Sequence, residues 1–174
     1  MECTSKAPPD RWSSWEGVMH LALDQAALAA LKQEIPIGAV LLDTDGSIIG
    51  RGHNQSITRH DPTAHAEMLA IREACTVKQN YRLPNTTLVV TLEPCLMCLG
   101  AIIHARIGCI VYGADDPKTG TLRSQINGAD LPWSNHTFSV IPGILGQECS
   151  TQLSLFFKNR RREQKAKNSQ TTPC

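Results

Sequence analysis

Two apolar, β-branched runs with one short helix signal between them restrict the fold of this chain more than any other feature. Residues 86–91 read Thr-Thr-Leu-Val-Val-Thr, and residues 107–112 read Ile-Gly-Cys-Ile-Val-Tyr. Runs of this kind suit strands buried on both faces. Between them, Pro94 stands at the head of a helical stretch from Cys95 to about Ala105. Strand, helix and strand in such close succession form a βαβ unit, which implies a parallel pair with a right-handed crossover.

The rest of the chain supplies elements to extend that unit. Ser13 and Glu16 offer a capping box. Trp15, Val18, Ala22, Ala26 and Ala29 then recur at three- and four-residue steps, predicting an amphipathic helix that ends near Lys32. Residues 37–42 and 47–52 flank the turn signal Asp43-Thr44-Asp45-Gly46 and predict a hairpin. A polar loop over 53–61 leads to Asp61-Pro62-Thr63, a helix-start signal for a helix over 64–77. The pattern over 113–135 is weak. A last strand is predicted at 138–141 and a final helix over 146–165, with Leu153, Phe156 and Phe157 inward. The fold class is α/β: a three-layer α/β/α arrangement with a mixed sheet of about five strands. Length suits one domain over 1–174, with a core at 12–157 and a basic helix end and tail at 158–174.

Composition excludes several classes. No continuous apolar stretch reaches transmembrane length. Residues 1–10 lack the basic-then-apolar order of a secretory signal and read as a mobile lead-in. Seven cysteines, an odd number, argue against a disulfide framework and for a reducing, cytoplasmic setting. Cys75 and Cys109 read as small buried hydrophobes. Charge is uneven. Residues 158–167 carry a net +5 while the whole chain is +1. That segment is either a solvated helix end or a phosphate-contacting tail.

Two short segments carry the chemistry. His65-Ala66-Glu67 opens one predicted helix and Pro94-Cys95-Leu96-Met97-Cys98 opens another. A three-residue step on a helix puts both sulfurs on one side of the first turn, and a helix N-terminus favours the thiolate a metal needs. Two thiolates and the His65 imidazole make three ligands and leave a corner for water, the pattern of a catalytic rather than a structural zinc. Zinc brings the pKa of bound water from about 15.7 toward about 7. Glu67 is close enough in sequence to move that water's proton as general base and then acid. A Cys-x-x-Cys pair alone also fits a thioredoxin-like redox site or half a zinc ribbon. The redox site needs no upstream His-x-Glu, and the ribbon needs a second cysteine pair that this chain lacks. His-x-Glu followed by Pro-Cys-x-x-Cys is the zinc deaminase signature.

Beyond that signature, the chain resembles the bacterial tRNA-specific adenosine deaminases of the cytidine/deoxycytidylate deaminase-like superfamily over nearly all of 12–167. The resemblance is carried by residues 35–40 (Ile-Pro-Ile-Gly-Ala-Val), 59–67 (Arg-His-Asp-Pro-Thr-Ala-His-Ala-Glu), 79–83 (Gln-Asn-Tyr-Arg-Leu), 91–95 (Thr-Leu-Glu-Pro-Cys) and 118–120 (Lys-Thr-Gly). It implies one Zn2+ per subunit on His65, Cys95 and Cys98, with Glu67 as proton shuttle. It implies that Asn54 hydrogen-bonds a flipped base, with the Glu93 backbone nearby, and that Asp116 approaches the neighbouring sugar. Phe157, Arg160 and Arg161 would lie on a closing helix against a tRNA anticodon stem-loop, in a homodimer. The expected reaction is hydrolytic deamination of the wobble adenosine to inosine. The target base must leave its stack or sit in a loop. The chain departs from the family pattern at Asp115, Leu122, Arg123 and Leu155, positions that bear on flanking-nucleotide preference. The alternatives are a free nucleobase or nucleotide deaminase acting on guanine, cytosine or dCMP, a non-catalytic zinc-stabilised RNA-binding module, and a redox protein.

Overall fold

The predicted crossover is present and parallel. The computed structural model describes residues 7–170. Strand β3 (Thr87–Leu92) runs through helix α4 (Leu96–Ala105) into β4 (Cys109–Ala114), with Val89 beside Val111 and Val90 beside Tyr112. The hairpin β1 (Gly38–Leu42) and β2 (Ile48–His53) joins through β1, antiparallel to both β2 and β3. A short β5 (Ser139–Ile141) adds in parallel at the far edge, so the sheet order is β2-β1-β3-β4-β5.

Strand alternation sorts the core into two layers, as the period of two requires. Ala39, Leu41, Leu88, Val90, Ile110 and Tyr112 face α3 (Ala66–Lys78) and α4. Val40, Leu42, Val89 and Val111 face the other way, toward Trp15, Val18, Met19 and Ala22 of α1 (Trp15–Leu31) and Cys149 of α5 (Gly146–Gln170). The three-layer α/β/α architecture follows. Each fully buried Leu, Ile or Val contributes about 1.5–3 kcal/mol. An exposed ion pair such as Lys78–Asp43, at 2.8 Å, adds only about 0–1 kcal/mol. The apolar layers therefore hold the sheet. No helix among the described residues is long and apolar enough to cross a membrane.

Helix α3 lies unusually close to the sheet. A Cβ at Gly52 would overlap the carbonyl oxygen of Ala66, and one at Gly50 would overlap that of Ala70. Ala66, Ala70 and Ala74 form the facing small-residue stripe, all fully buried. This close seat fixes where α3 begins, and hence where His65 and Glu67 stand.

Several boundaries differ from expectation. Helix α1 is capped at Ser14, one residue after the predicted Ser13, with an extended backbone and no side-chain cap bond. Asp61 does not cap α3. Its Oδ1 instead accepts the Thr63 amide at 2.8 Å and the Thr63 hydroxyl at 2.7 Å, and His65 is the N-cap. The predicted 53–61 loop contains a one-turn helix, α2 (Ser56–Arg59). Helix α5 runs past the predicted end at 165. Its inward stripe is Cys149, Leu153 and Phe156, at i, i+4 and i+7. Phe157 sits at the edge of that stripe and is 37% exposed, not inward. Cys109 is buried as predicted, and Cys75 only partly. The lead-in lies outside the described residues up to residue 6. In its described part Ala7 and Asp10 are exposed and Pro8 and Pro9 half-buried; just after it, the Trp12 amide donates to Pro9 O at 2.8 Å and the Trp12 indole to Gly46 O at 2.8 Å.

Candidate active site

The chemistry-bearing segments meet where β3 ends and α3 and α4 begin. His65 is the N-cap of α3 (φ −76°, ψ 156°) and Cys95 the N-cap of α4 (φ −80°, ψ 173°). Both therefore have extended backbones at the positive end of a helix dipole. Cys98 lies in the first turn of α4 and is fully buried. The two sulfurs are 3.8 Å apart, and His65 Nδ1 is 3.7 Å from Cys95 Sγ and 3.6 Å from Cys98 Sγ.

These separations test the fit of a metal. Tetrahedral zinc, with Zn–S of about 2.3 Å and Zn–N of about 2.0 Å, holds its ligands roughly 3.5–3.8 Å apart. Among the described residues the cluster comprises these three donors, which fits zinc with one corner left for water or substrate. The electrostatics single out one of the two thiols as the readier thiolate. The Cys95 thiol is drawn down to about 4, first by its hydrogen bond with Cys98 and, against the opposing effect of burial, by His65. The Cys98 thiol is pushed up, by its bond with Cys95 and by burial. The His65 imidazole is pushed up, chiefly by Cys95.

Glu67 occupies the first turn of α3, 4% exposed. Burial drives its carboxyl above the ordinary glutamate value of 4.5, with the nearby His65 charge opposing. A buried carboxyl beside the metal seat is placed to take a proton and to give it back. The site thus offers a three-donor metal seat beside a buried proton carrier.

The family of the cytidine and deoxycytidylate deaminase zinc-binding region matches residues 13–114, more than half of the chain and all four of these residues. This chain belongs to that deaminase family. Its cofactor is zinc, one ion per subunit, for which His65, Cys95 and Cys98 form the fitting site. Among relatives of this deaminase, the tRNA-specific adenosine deaminase of Haemophilus influenzae is 52% identical over 150 residues, covering 86% of this chain and 87% of the relative. That of Bacillus subtilis is 45% identical over 148 residues, covering 85% and 91%. A solved structure from a study of A-to-I editing by tRNA:A34 deaminases at the wobble position of transfer RNA has a TM-score of 0.74 and 43% identity, covering 77% of this chain and 96% of that one.

The other expected site residues divide between the two faces of the deaminase. Asn54 follows β2 and is 5% exposed. Its Oδ1 accepts the Ala66 amide at 2.9 Å, so its Nδ2 is the group it can offer a base. Glu93 is buried beside Cys95, and its own amide is committed to Ala114 O at 2.9 Å. Asp116 lies on the loop after β4. Its Oδ1 accepts the amides of Lys118 and Thr119, and its Oδ2 the Thr119 hydroxyl. Phe157, Arg160 and Arg161 are exposed on α5, which packs on the α1 face of the sheet, across from α3 and α4. No described contact joins them to the zinc cluster.

Three of the four departures from the family pattern acquire partners. Asp115 accepts the Tyr112 hydroxyl at 2.9 Å. Leu122 and Arg123 serve the site through backbone amides bonded to Glu93. Sequence reasoning missed Glu34 altogether. This carboxylate is 1% exposed and accepts the Thr58 amide at 2.6 Å, the Thr58 hydroxyl at 2.8 Å and the Ile57 amide at 3.2 Å. It thereby holds α2, which follows Asn54. The available signal was an acid directly before the apolar Ile35-Pro36-Ile37 run.

Proposed function

We propose that this chain hydrolytically deaminates adenosine to inosine at the wobble position of a tRNA anticodon loop. The observation that carries this reading is the three-donor zinc seat with Glu67 buried beside it, in a chain 52% identical to a tRNA-specific adenosine deaminase.

His65, Cys95 and Cys98 would hold zinc, which supplies a Lewis acid that makes water a competent nucleophile at neutral pH. Glu67 takes a proton from the attacking water and passes it to the adenine ring nitrogen, then takes the proton left on the added hydroxyl and gives it to the departing amine. Water and adenosine give inosine and ammonia. Asn54 Nδ2 donates to an acceptor on the flipped base, and the Glu93 backbone lines the same recess. Asp116 lies toward the sugar of the neighbouring nucleotide. Phe157, Arg160 and Arg161 meet the anticodon loop, with the basic end at 158–174 serving phosphates beyond the core at 12–157. The enzyme works as a cytoplasmic homodimer. The roles of His65, Glu67, Cys95 and Cys98 are supported by the family's His-x-Glu and Pro-Cys-x-x-Cys motif, matched in this sequence.

The test is mass analysis of a synthetic anticodon stem-loop after incubation with the zinc-loaded protein. The expected product is about one dalton heavier, the amino-to-oxo exchange at one adenine. Guanine, cytosine and dCMP are assayed in parallel for ammonia release. Release from any of these, with the stem-loop unchanged, overturns the RNA assignment.

A further inference from the structure

The Glu93 carboxylate is surrounded by donors from a single loop. Its Oε1 accepts the amides of Leu122 at 2.9 Å, Arg123 at 2.7 Å and Ser124 at 2.9 Å. Its Oε2 accepts the Asp116 amide at 3.0 Å and the Ser124 hydroxyl. Both ends of the segment 116–124 thus converge on one side chain that is 2% exposed. The loop is also stitched to the next two residues of the chain. The Thr121 amide and hydroxyl donate to Pro94 O at 3.0 Å and 2.9 Å, and Cys95 forms a bridge with Gly120. A Cβ at Gly120 would collide with the Glu93 carboxylate, so the loop can close this tightly only with glycine there.

We propose that Glu93 is a positioning residue, whose carboxylate holds loop 116–124 against Cys95 as a fixed wall of the substrate site. The physical case is one of matching. Five donors, four of them backbone amides, need an acceptor with two oxygens, and no uncharged side chain offers both. An amide left without a partner in a buried site loses its hydrogen bond outright. Glutamine at this position would aim an NH2 group at either the Asp116 amide or the Leu122–Ser124 amides, donor against donor. The wall therefore depends on the carboxylate itself rather than on its volume. No described hydrogen bond joins the Glu93 side chain to the zinc donors or to Glu67, so its loss is felt in substrate engagement more than in chemistry. This inference rests on the proposed RNA reading for its kinetic arm and on the protein alone for its exchange arm.

The experiment compares the zinc-loaded parent with Glu93→Gln, Ser124→Ala and the double variant. In the protein alone, Glu93→Gln is expected to raise amide hydrogen exchange across 116–124 at least tenfold, with zinc content and α3 exchange unchanged. With an anticodon stem-loop, KM is expected to rise tenfold or more while kcat falls less than threefold. Because both single variants act on one loop, the double variant is expected to stay within threefold of Glu93→Gln alone. Unchanged loop exchange, a kcat loss at constant KM, loss of zinc, or fully multiplicative single effects would each overturn the proposal. Ser124→Ala removes only one of the five donors and serves if Glu93→Gln does not fold. A threefold rise in KM supports the wall, and an unchanged KM sinks it. If the parent gives no product from the stem-loop, the substrate reading fails, and the exchange result still decides the role of Glu93.

Discussion

The side-chain oxygen of Asn54 accepts the backbone amide of Ala66 at 2.9 Å, the residue between the ligand His65 and the acid Glu67. One carboxamide thus ties the end of β2 to the first turn of α3, and its amino group is the part proposed to meet substrate. The two roles can be separated. Asn54→Asp retains the oxygen and deletes the amino group. Its melting temperature is expected to stay near the parent's while turnover falls at least about tenfold, in line with loss of one oriented donor. Asn54→Ala removes both and is expected to cost about 1–3 kcal/mol as well. Thermal melts set beside turnover measurements check the split.

Glu67 is buried without being one of the cluster's three donors. Glu67→Ala is therefore expected to abolish deamination, a loss of at least about 10²–10⁴-fold for a general acid–base group, with zinc still bound one to one. Elemental analysis of the purified variant beside an ammonia assay decides this. Retained turnover, or zinc lost along with activity, contradicts the assigned role.

The seat of α3 on β2 has no room for a methyl group at Gly52. Gly52→Ala must push the helix start outward, carrying His65 with it. Overpacking of this kind costs about 1–3 kcal/mol, and zinc affinity is expected to fall with it because one of three ligands moves. Competition against a chromogenic chelator reads the affinity, and denaturant titration reads the stability. The matching change on the exposed side of the strand, Arg51→Ala, is the control and is expected to leave zinc affinity unchanged.

Glu34 gives a pH-dependent stability with a definite sign. Burial alone would raise its pKa, but hydrogen bonds from Thr58 and Ile57 and the charge of His53 outweigh that, so it lies below 4.5 in the folded protein. A depressed carboxylate contributes fully above its unfolded value, and the contribution disappears as pH falls through the folded one. Glu34→Gln is expected to be less stable than the parent by about 1–3 kcal/mol at neutral pH, with the gap narrowing as pH drops below about 4.5. Denaturant midpoints from pH 7 down to about 3 measure it. A gap that stays constant with pH would show that the carboxylate charge is not what holds α2.

By itself, the sequence determined the crossover, the hairpin and the identity of the zinc donors. The runs at 86–91 and 107–112 are local patterns. Cys95-x-x-Cys98 is a short-range spacing that a helix start turns into a one-sided pair, and His65-x-Glu67 marks the second segment by residue type alone. Only the tertiary structure decided which capping residue wins. Asp61 has the side chain of a helix cap, yet His65 takes the cap because Gly52 and Asn54 fix where α3 can start. It also decided the two buried carboxylates. Glu34 and Glu93 draw their partners from backbone amides about 23 to 31 residues away. Every residue but proline carries such an amide, so no residue type marks those partners in advance, and they become visible only once the chain has folded.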